Sequence, residues 1–97
     1  MEVTTIAARK RSELGKRKIG GVREAGHVPA VVYGRGQDPQ HVKLAETDVA
    51  RELRRRHRVF ELDIEGQRQP VYLQALQSDS LTDRPLHLDF MRIDMDA

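Results

Sequence analysis

The sequence contains no cysteine and no tryptophan, and its aromatic residues amount to only 4% of the chain. The absence of cysteine excludes disulfides, thiolate metal sites and cysteine nucleophiles. No apolar run approaches the roughly 18 residues that a membrane-spanning helix needs. The first residues also lack the apolar stretch of a signal peptide. We therefore expect a cytoplasmic protein with no membrane segment.

The charged residues are unevenly distributed along a chain whose length predicts one domain over residues 1–97. Residues 1–36 hold eight Lys/Arg against three acids, whereas residues 59–97 hold three against eight. This asymmetry indicates a polyanion as the partner of one surface. The alternative is that the two ends pair in surface salt bridges, but each such pair contributes only about 0–1 kcal/mol to stability.

Apolar alternation predicts a mainly β, α+β fold with six short strands, one longer helix and one short helix. Strands are expected at residues 2–7, 28–33, 41–45, 60–65, 70–77 and from 86 onward. With so few residues per strand, closure into a small six-stranded barrel is the simplest way to hide the strand edges.

Three local features are expected between and within these strands. The longer helix is predicted to start with Thr47 or Asp48 as its N-cap and to run to about His57. The short helix covers about one turn at residues 22–25 and ends at Gly26. The apolar alternation of the last strand changes phase after Phe90, which predicts a bulge or a strand end at that point.

No set of residues in the sequence supports catalysis. The four histidines lack metal-ligand spacing, and the acidic pairs two residues apart are typical of a solvated sheet face. The serines do not form a nucleophile elbow. We therefore predict no enzyme activity, no catalytic residue, no metal site and no cofactor.

The informative segment is residues 8–21, predicted to be a solvent-facing basic loop suited to phosphates. Tyr33 ends an apolar strand, so its ring either lines a rim or packs in the core. His87 and Asp89 share the strand face opposite Leu88 and Phe90, where they either face solvent or meet base edges and 2′-hydroxyls. The basic side chains of the loop are Arg9, Lys10, Arg11, Lys16, Arg17 and Lys18.

Two stretches of the sequence resemble a known family. Gly-Lys at 15–16, followed by Val-Arg-Glu-Ala-Gly-His-Val-Pro-Ala-Val-Val-Tyr-Gly at 22–34, resembles the opening of the 5S rRNA-binding ribosomal protein L25 family, which is related to general stress protein Ctc. His-Leu-Asp-Phe at 87–90 is similar to a motif near the C-terminus of that family's barrel domain. The resemblance covers nearly the whole chain and is to the short, single-domain form.

The resemblance implies a six-stranded barrel that binds the loop E region of 5S rRNA in the large ribosomal subunit. The implied mode is minor-groove and backbone recognition by a protein that is monomeric when free. Many members have Ser-Arg-Arg where this chain has Ile-Gly-Gly at 19–21, and Arg17 and Lys18 can substitute from earlier positions. The matching contact residues are Arg11, Lys16, Arg23, Tyr33, Gln74, His87 and Asp89, with Arg9 and Lys10 as neighbours by charge.

Two alternative functions remain open on the sequence. One is a free-standing RNA-binding stress protein with the same fold. The other is a protein-interaction barrel that uses its acidic C-terminal third to bind a basic partner.

Overall fold

Six strands form a closed barrel in the computed structural model, which describes residues 3–11, 21, 23 and 25–94. Around the barrel the order is β1-β3-β2-β6-β5-β4, and β4 pairs with β1 to close it. The predicted six-stranded barrel is therefore confirmed. The elements are β1 (Thr4–Lys10), β2 (His27–Gly34), β3 (Gln37–Ala45), α1 (Glu46–Arg54), β4 (Val59–Ile64), β5 (Gln67–Ser78) and β6 (Pro85–Arg92).

Two of the six strand pairs are parallel. β1 runs parallel to β4, and β2 runs parallel to β6, while the other neighbours are antiparallel. Closure leaves no unpaired sheet edge among these strands.

The core is formed by the inward-facing residue of every second position, as the alternation predicts. Phe60 and Phe90 meet edge to face, with ring centroids 6.2 Å apart and planes at 86°. This geometry is favourable for aromatic pairs. The other buried members are Ile6, Ala8, Val28, Ala30, Val32, Val42, Leu44, Val49, Leu62, Ile64, Val71, Leu73 and Leu88.

Helix α1 closes one end of the barrel, because its Val49 is buried in the core and Leu53 packs against it. The predicted cap is wrong: the N-cap residue is Ala45, which makes no side-chain cap hydrogen bond. The helix also ends at Arg54 instead of at about His57. No helix of the described residues is long and apolar enough to cross a membrane.

The predicted phase change in the last strand is absent from β6, which keeps its alternation to its end. Arg92 takes the inward position there and is 6% exposed, with its guanidinium donating to the carbonyls of Gly34 (2.8 Å) and Asp38 (3.0 Å). A buried cation is tolerated because these acceptors satisfy it. The β5–β6 pair has two register shifts, between Leu73 and Ala75 and between Gln77 and Ser78, and neither lies at Phe90.

The N-terminal bound of the predicted basic loop also requires correction. β1 continues to Lys10, so residues 8–10 are strand. The predicted turn before β2 is confirmed: Gly21 and Arg23 are helical, the Ala25 N–H donates to the Gly21 carbonyl (3.0 Å), and Gly26 has a φ of 84°. Residues 12–20, 22 and 24 lie outside the described part of the chain.

Candidate nucleic-acid interface

Two tyrosines are exposed on the outer side of three adjacent strands. Met91 of β6 is in register with Tyr33 of β2 on one side and with Tyr72 of β5 on the other. Tyr33 is 37% exposed and Tyr72 is 42% exposed. Tyr33 is therefore exposed and not packed in the core, and the two tyrosines lie on either side of a methionine.

Polar side chains continue this surface toward the helix-closed end of the barrel. His87 and Asp89 point outward from β6, in register with Gln77 and Ala75 of β5. Gln74 is the additional residue at the β5 register shift, and it is exposed. We call the surface formed by Tyr33, Tyr72, Gln74, His87, Asp89 and Met91 the β2–β6–β5 face; it brings together four of the predicted RNA contacts.

His87 and Asp89 form a polar pair in the middle of this face. The Nδ1 atom of His87 lies 3.4 Å from Oδ1 of Asp89, and both side chains are partly exposed. Burial lowers the pKa of His87, and the positive charges of Arg11 and Arg23 lower it further, although Asp89 opposes them. The ring is therefore neutral near pH 7, with one nitrogen that donates and one that accepts.

Arg11 supports the face from within the barrel wall. It is 9% exposed, and its Nε donates to the Val42 carbonyl (2.9 Å) while Nη2 reaches the Ala30 carbonyl (3.5 Å). Its main-chain N–H donates to the His41 carbonyl (3.1 Å). The guanidinium is thus held by β2 and β3, where its charge acts on His87.

Arg23 joins the turn before β2 to the start of β6. Its Nε and Nη2 donate to the Leu86 carbonyl at 3.1 and 3.0 Å, next to His87 in sequence. Arg84 donates to the Arg23 carbonyl (3.0 Å) and to Glu46 (2.7 Å). These bonds place the positive charge of Arg23 beside the face.

A basic edge lies next to the face, across β3 and β1. Arg9 and Lys10 are exposed, and Arg9 is in register with Lys43, which is in turn in register with Pro29 of β2. Lys16, Arg17 and Lys18 lie outside the described residues. The basic edge, defined as Arg9, Lys10 and Lys43, adds cations beyond the polar pair and lines a hollow of about 600 Å³ together with Asp63 and Glu65.

Sequence reasoning missed Tyr72, Met91 and Lys43. Tyr72 and Lys43 occupy outward positions of predicted strands, so alternation alone could have assigned their side of the sheet. Met91 escaped because the predicted phase change after Phe90 put it on the inward side. What alternation could not supply was the neighbouring strand, because the β2–β6 pairing joins residues far apart in sequence.

The described residues contain no group of three or more His, Cys, Asp or Glu side chains that could hold a metal. The cavity between α1 and the core measures about 10 Å³ and is bounded by apolar groups such as Leu44, Phe60 and Leu88, and by Glu52. That volume is smaller than a substrate needs.

Comparison with known proteins bears on the same segment. The family model described as the Ribosomal L25p family matches residues 6–90, which include the β2–β6–β5 face except Met91. The chain belongs to this family.

Its relatives include proteins named large ribosomal subunit protein bL25. The chain is 37% identical to the protein of Rhodospirillum rubrum over 100 residues, covering 99% of this chain and 48% of that one. It is 37% identical to the protein of Acidiphilium cryptum over 92% of this chain and 42% of that one. It is 32% identical to the protein of Bacillus pumilus, over 96% of this chain and 46% of that one. The chain thus spans about half the length of these curated relatives.

Proposed function

We propose that this protein is a structural component of the large ribosomal subunit and acts by binding 5S rRNA. The observation that carries the proposal is the convergence of Tyr33, Gln74, His87 and Asp89 on one outer face of the barrel, beside Arg23. The names of the relatives support the ribosomal part. The site would act in the cytoplasm, with one copy of the protein per RNA.

The proposed mode of recognition is contact with the minor groove of an RNA helix. That groove is wide and shallow and displays 2′-hydroxyls and base edges, so it suits a barrel face from which short polar side chains project. Gln74, neutral His87 and the side-chain oxygens of Asp89 provide donors and acceptors for those edges. The tyrosines at the end of the face provide hydroxyls and ring surfaces.

Phosphate contacts would come from the basic edge. Arg9 and Lys10 are exposed on the outer surface of β1, two strands away from β2. Contacts of this kind set position and register, whereas the groove contacts specify sequence and shape. Affinity should therefore fall with salt, with a logarithmic slope of about one for each phosphate contacted.

Binding of 5S rRNA and of an unrelated RNA hairpin tests the proposal, with Gln74→Ala as the variant. We expect Gln74→Ala to weaken 5S rRNA binding by about tenfold, the effect of one lost hydrogen bond to an interface group. Its binding to the hairpin should be unchanged. Gln67→Ala is the matched control, because Gln67 is the same residue type, exposed, at the other end of β5.

Equal binding of wild type to the two RNAs would contradict specific recognition. An equal loss of 5S rRNA binding in Gln74→Ala and Gln67→Ala would contradict the proposal that the β2–β6–β5 face binds this RNA. Sedimentation of cell extract on a sucrose gradient tests the ribosomal part: comigration with large subunits is expected. Migration free of ribosomes with RNA bound would favour the stress protein, and migration without RNA would favour the protein-interaction barrel.

A further inference from the structure

Five arginines and no lysine lie in the eight residues 51–58, at the end of α1 and the start of the connection to β4. None of these residues belongs to the β2–β6–β5 face or to the basic edge. We call residues 54–58 the arginine turn. It lies at the end of the barrel that α1 closes, because α1 packs there against the core through Val49 and Leu53.

Two of the five arginines are committed to an internal carboxylate. Glu52 is 1% exposed, and its Oε2 accepts from Arg51 (3.0 Å) and Arg55 (3.5 Å). Its Oε1 lies 2.8 Å from Nδ1 of His57. Burial alone would raise the pKa of Glu52, but these contacts keep it below its ordinary value. The carboxylate is therefore ionised and anchors the turn.

The main chain of the turn is also fixed. The N–H groups of Arg55, Arg56 and His57 donate to carbonyls of the last turn of α1, at 3.0 to 3.2 Å. The carbonyl of Arg58 accepts from Leu73 of β5 (2.7 Å), and Arg56 has a φ of 60°. The positions from which the remaining side chains project are thus set before any ligand binds, which reduces the entropy lost on binding.

Arg54, Arg56 and Arg58 are the arginines that remain. All three are exposed, and none has a carboxylate partner among the residues that the structure describes. Arg54 interacts favourably with the C-terminal end of the helix dipole, whereas Arg56 and Arg58 lie beyond the helix and add like charge beside it. A planar guanidinium donates two parallel hydrogen bonds to a phosphate, which lysine cannot do.

We propose that the arginine turn is a second RNA-binding surface, on which Arg54, Arg56 and Arg58 contact the phosphate backbone of an RNA segment other than the one bound by the β2–β6–β5 face. The end of a barrel and its side face in different directions. The turn begins beside the β5 side of the face, because the Arg58 carbonyl accepts from Leu73, the neighbour of Gln74, but it continues onto the barrel end. The inference goes beyond the proposed function, because it makes the protein a bridge between two RNA segments.

Shallow hollows of about 350 and 360 Å³ beside the turn suit a different class of partner. Both are lined by Leu53 and by Leu76, which is 41% exposed. An acidic amphipathic peptide would bury these leucines, whereas phosphate contacts would not involve them. Leu76→Ser therefore separates the two partners.

The test is capture of a second RNA by a complex already formed. Full-length protein is bound to immobilised 5S rRNA, and a labelled RNA hairpin of unrelated sequence is added. We expect wild type to retain the hairpin and Arg54→Gln/Arg58→Gln to retain it about tenfold less well, with the salt slope reduced by about two. The matched control Arg35→Gln/Arg68→Gln removes the same charge from arginines paired with Asp94 and Glu61.

The proposal predicts that this control and Leu76→Ser retain the hairpin as wild type does. The proposal is overturned if wild type does not capture the hairpin. It is also overturned if both arginine double variants lose hairpin retention equally, or if Leu76→Ser loses it. A second measurement does not need 5S rRNA: the changes in NMR amide chemical shifts of the free protein when the hairpin is added. Shifts at residues 54–58 support the inference even if 5S rRNA does not bind, whereas shifts confined to the β2–β6–β5 face overturn it.

Discussion

Carboxylates lie on two outer regions of the same barrel, but their surroundings differ. On β4 and the turn after it, Glu61 accepts from Thr5 (3.2 Å) and Arg68 (3.4 Å), and Glu65 accepts from the Lys10 N–H (2.7 Å). On the β2–β6–β5 face, the ionic contact of Asp89 within the described part of the chain is with His87. The fold uses the first group for its own strand connections, whereas Asp89 lies beside a neutral ring and two arginines.

This difference sets the charge that each region presents to a partner. Glu61, Asp63 and Glu65 form a row of negative charge on neighbouring outward positions, which would repel phosphates. A single carboxylate among cations is instead able to accept from a 2′-hydroxyl or a guanine amino group. The segregation of charge along the sequence is only partly kept in space: Arg9, Lys10 and Lys43 line one hollow with Asp63 and Glu65, and Arg35 pairs with Asp94.

The largest effect should come from the arginine that supports the face. Arg11→Glu would place a carboxylate against the carbonyls of Ala30 and Val42 and should lower the free energy of unfolding by about 3–5 kcal/mol. Arg9→Glu, two positions earlier and exposed, should change it by less than about 0.5 kcal/mol. Urea denaturation of both variants measures the difference. Similar stability of the two would show that Arg11 is not part of the barrel wall.

The chain order of strands, their alternation and the core could be predicted because each depends on local patterning. The same reasoning assigned Arg11 to a solvent-facing loop, since six cations in ten residues leave no local sign that one of them is buried. Its acceptors are carbonyls 19 and 31 residues away. The inward position of Arg92 escaped prediction for the same reason: its acceptors lie more than 50 residues away.

Prediction of the candidate site was limited in the same way, by contacts between residues that are far apart in the sequence. The shared side of His87 and Asp89 follows from their spacing, whereas the position of Tyr33 beside them depends on the parallel β2–β6 pair. The helix cap failed because Thr47 and Asp48 are both competent caps, yet the chain enters α1 directly from β3 at Ala45. The direct connection between β3 and α1 therefore determines where the helix begins, and the capping preference of Thr47 and Asp48 does not.

A smaller effect should distinguish the two acidic regions directly. Asp89→Ala should weaken 5S rRNA binding by a factor of about 10–150, the cost of about 1.5–3 kcal/mol for a lost hydrogen bond to a charged group. Glu61→Ala removes the same charge from β4 and should leave binding unchanged or slightly tighter. Filter binding at one fixed salt concentration measures both. Tighter binding of Asp89→Ala would leave charge attraction as the sole basis of the interface.

The smallest effect concerns the titration of His87, which reports the environment of the face without RNA. Burial and the charges of Arg11, Arg23 and His41 hold the pKa of His87 below its ordinary 6.5, against the attraction of Asp89. The unfolded chain therefore binds the proton at a higher pH than the folded one. It follows that the contribution of His87 to stability is present above pH 6.5 and is lost as the pH falls through the lower, folded-state pKa.

NMR titration of the His87 ring measures this pKa in the free protein. Asp89→Ala should lower it further, because the variant removes the charge that favours the imidazolium, while Glu61→Ala should leave it unchanged. A wild-type pKa at or above 6.5, or a rise in Asp89→Ala, would contradict this account of the face. The expected result means that at neutral pH His87 meets RNA as an uncharged donor and acceptor, so its contribution to recognition depends on hydrogen-bond geometry and not on attraction to phosphate.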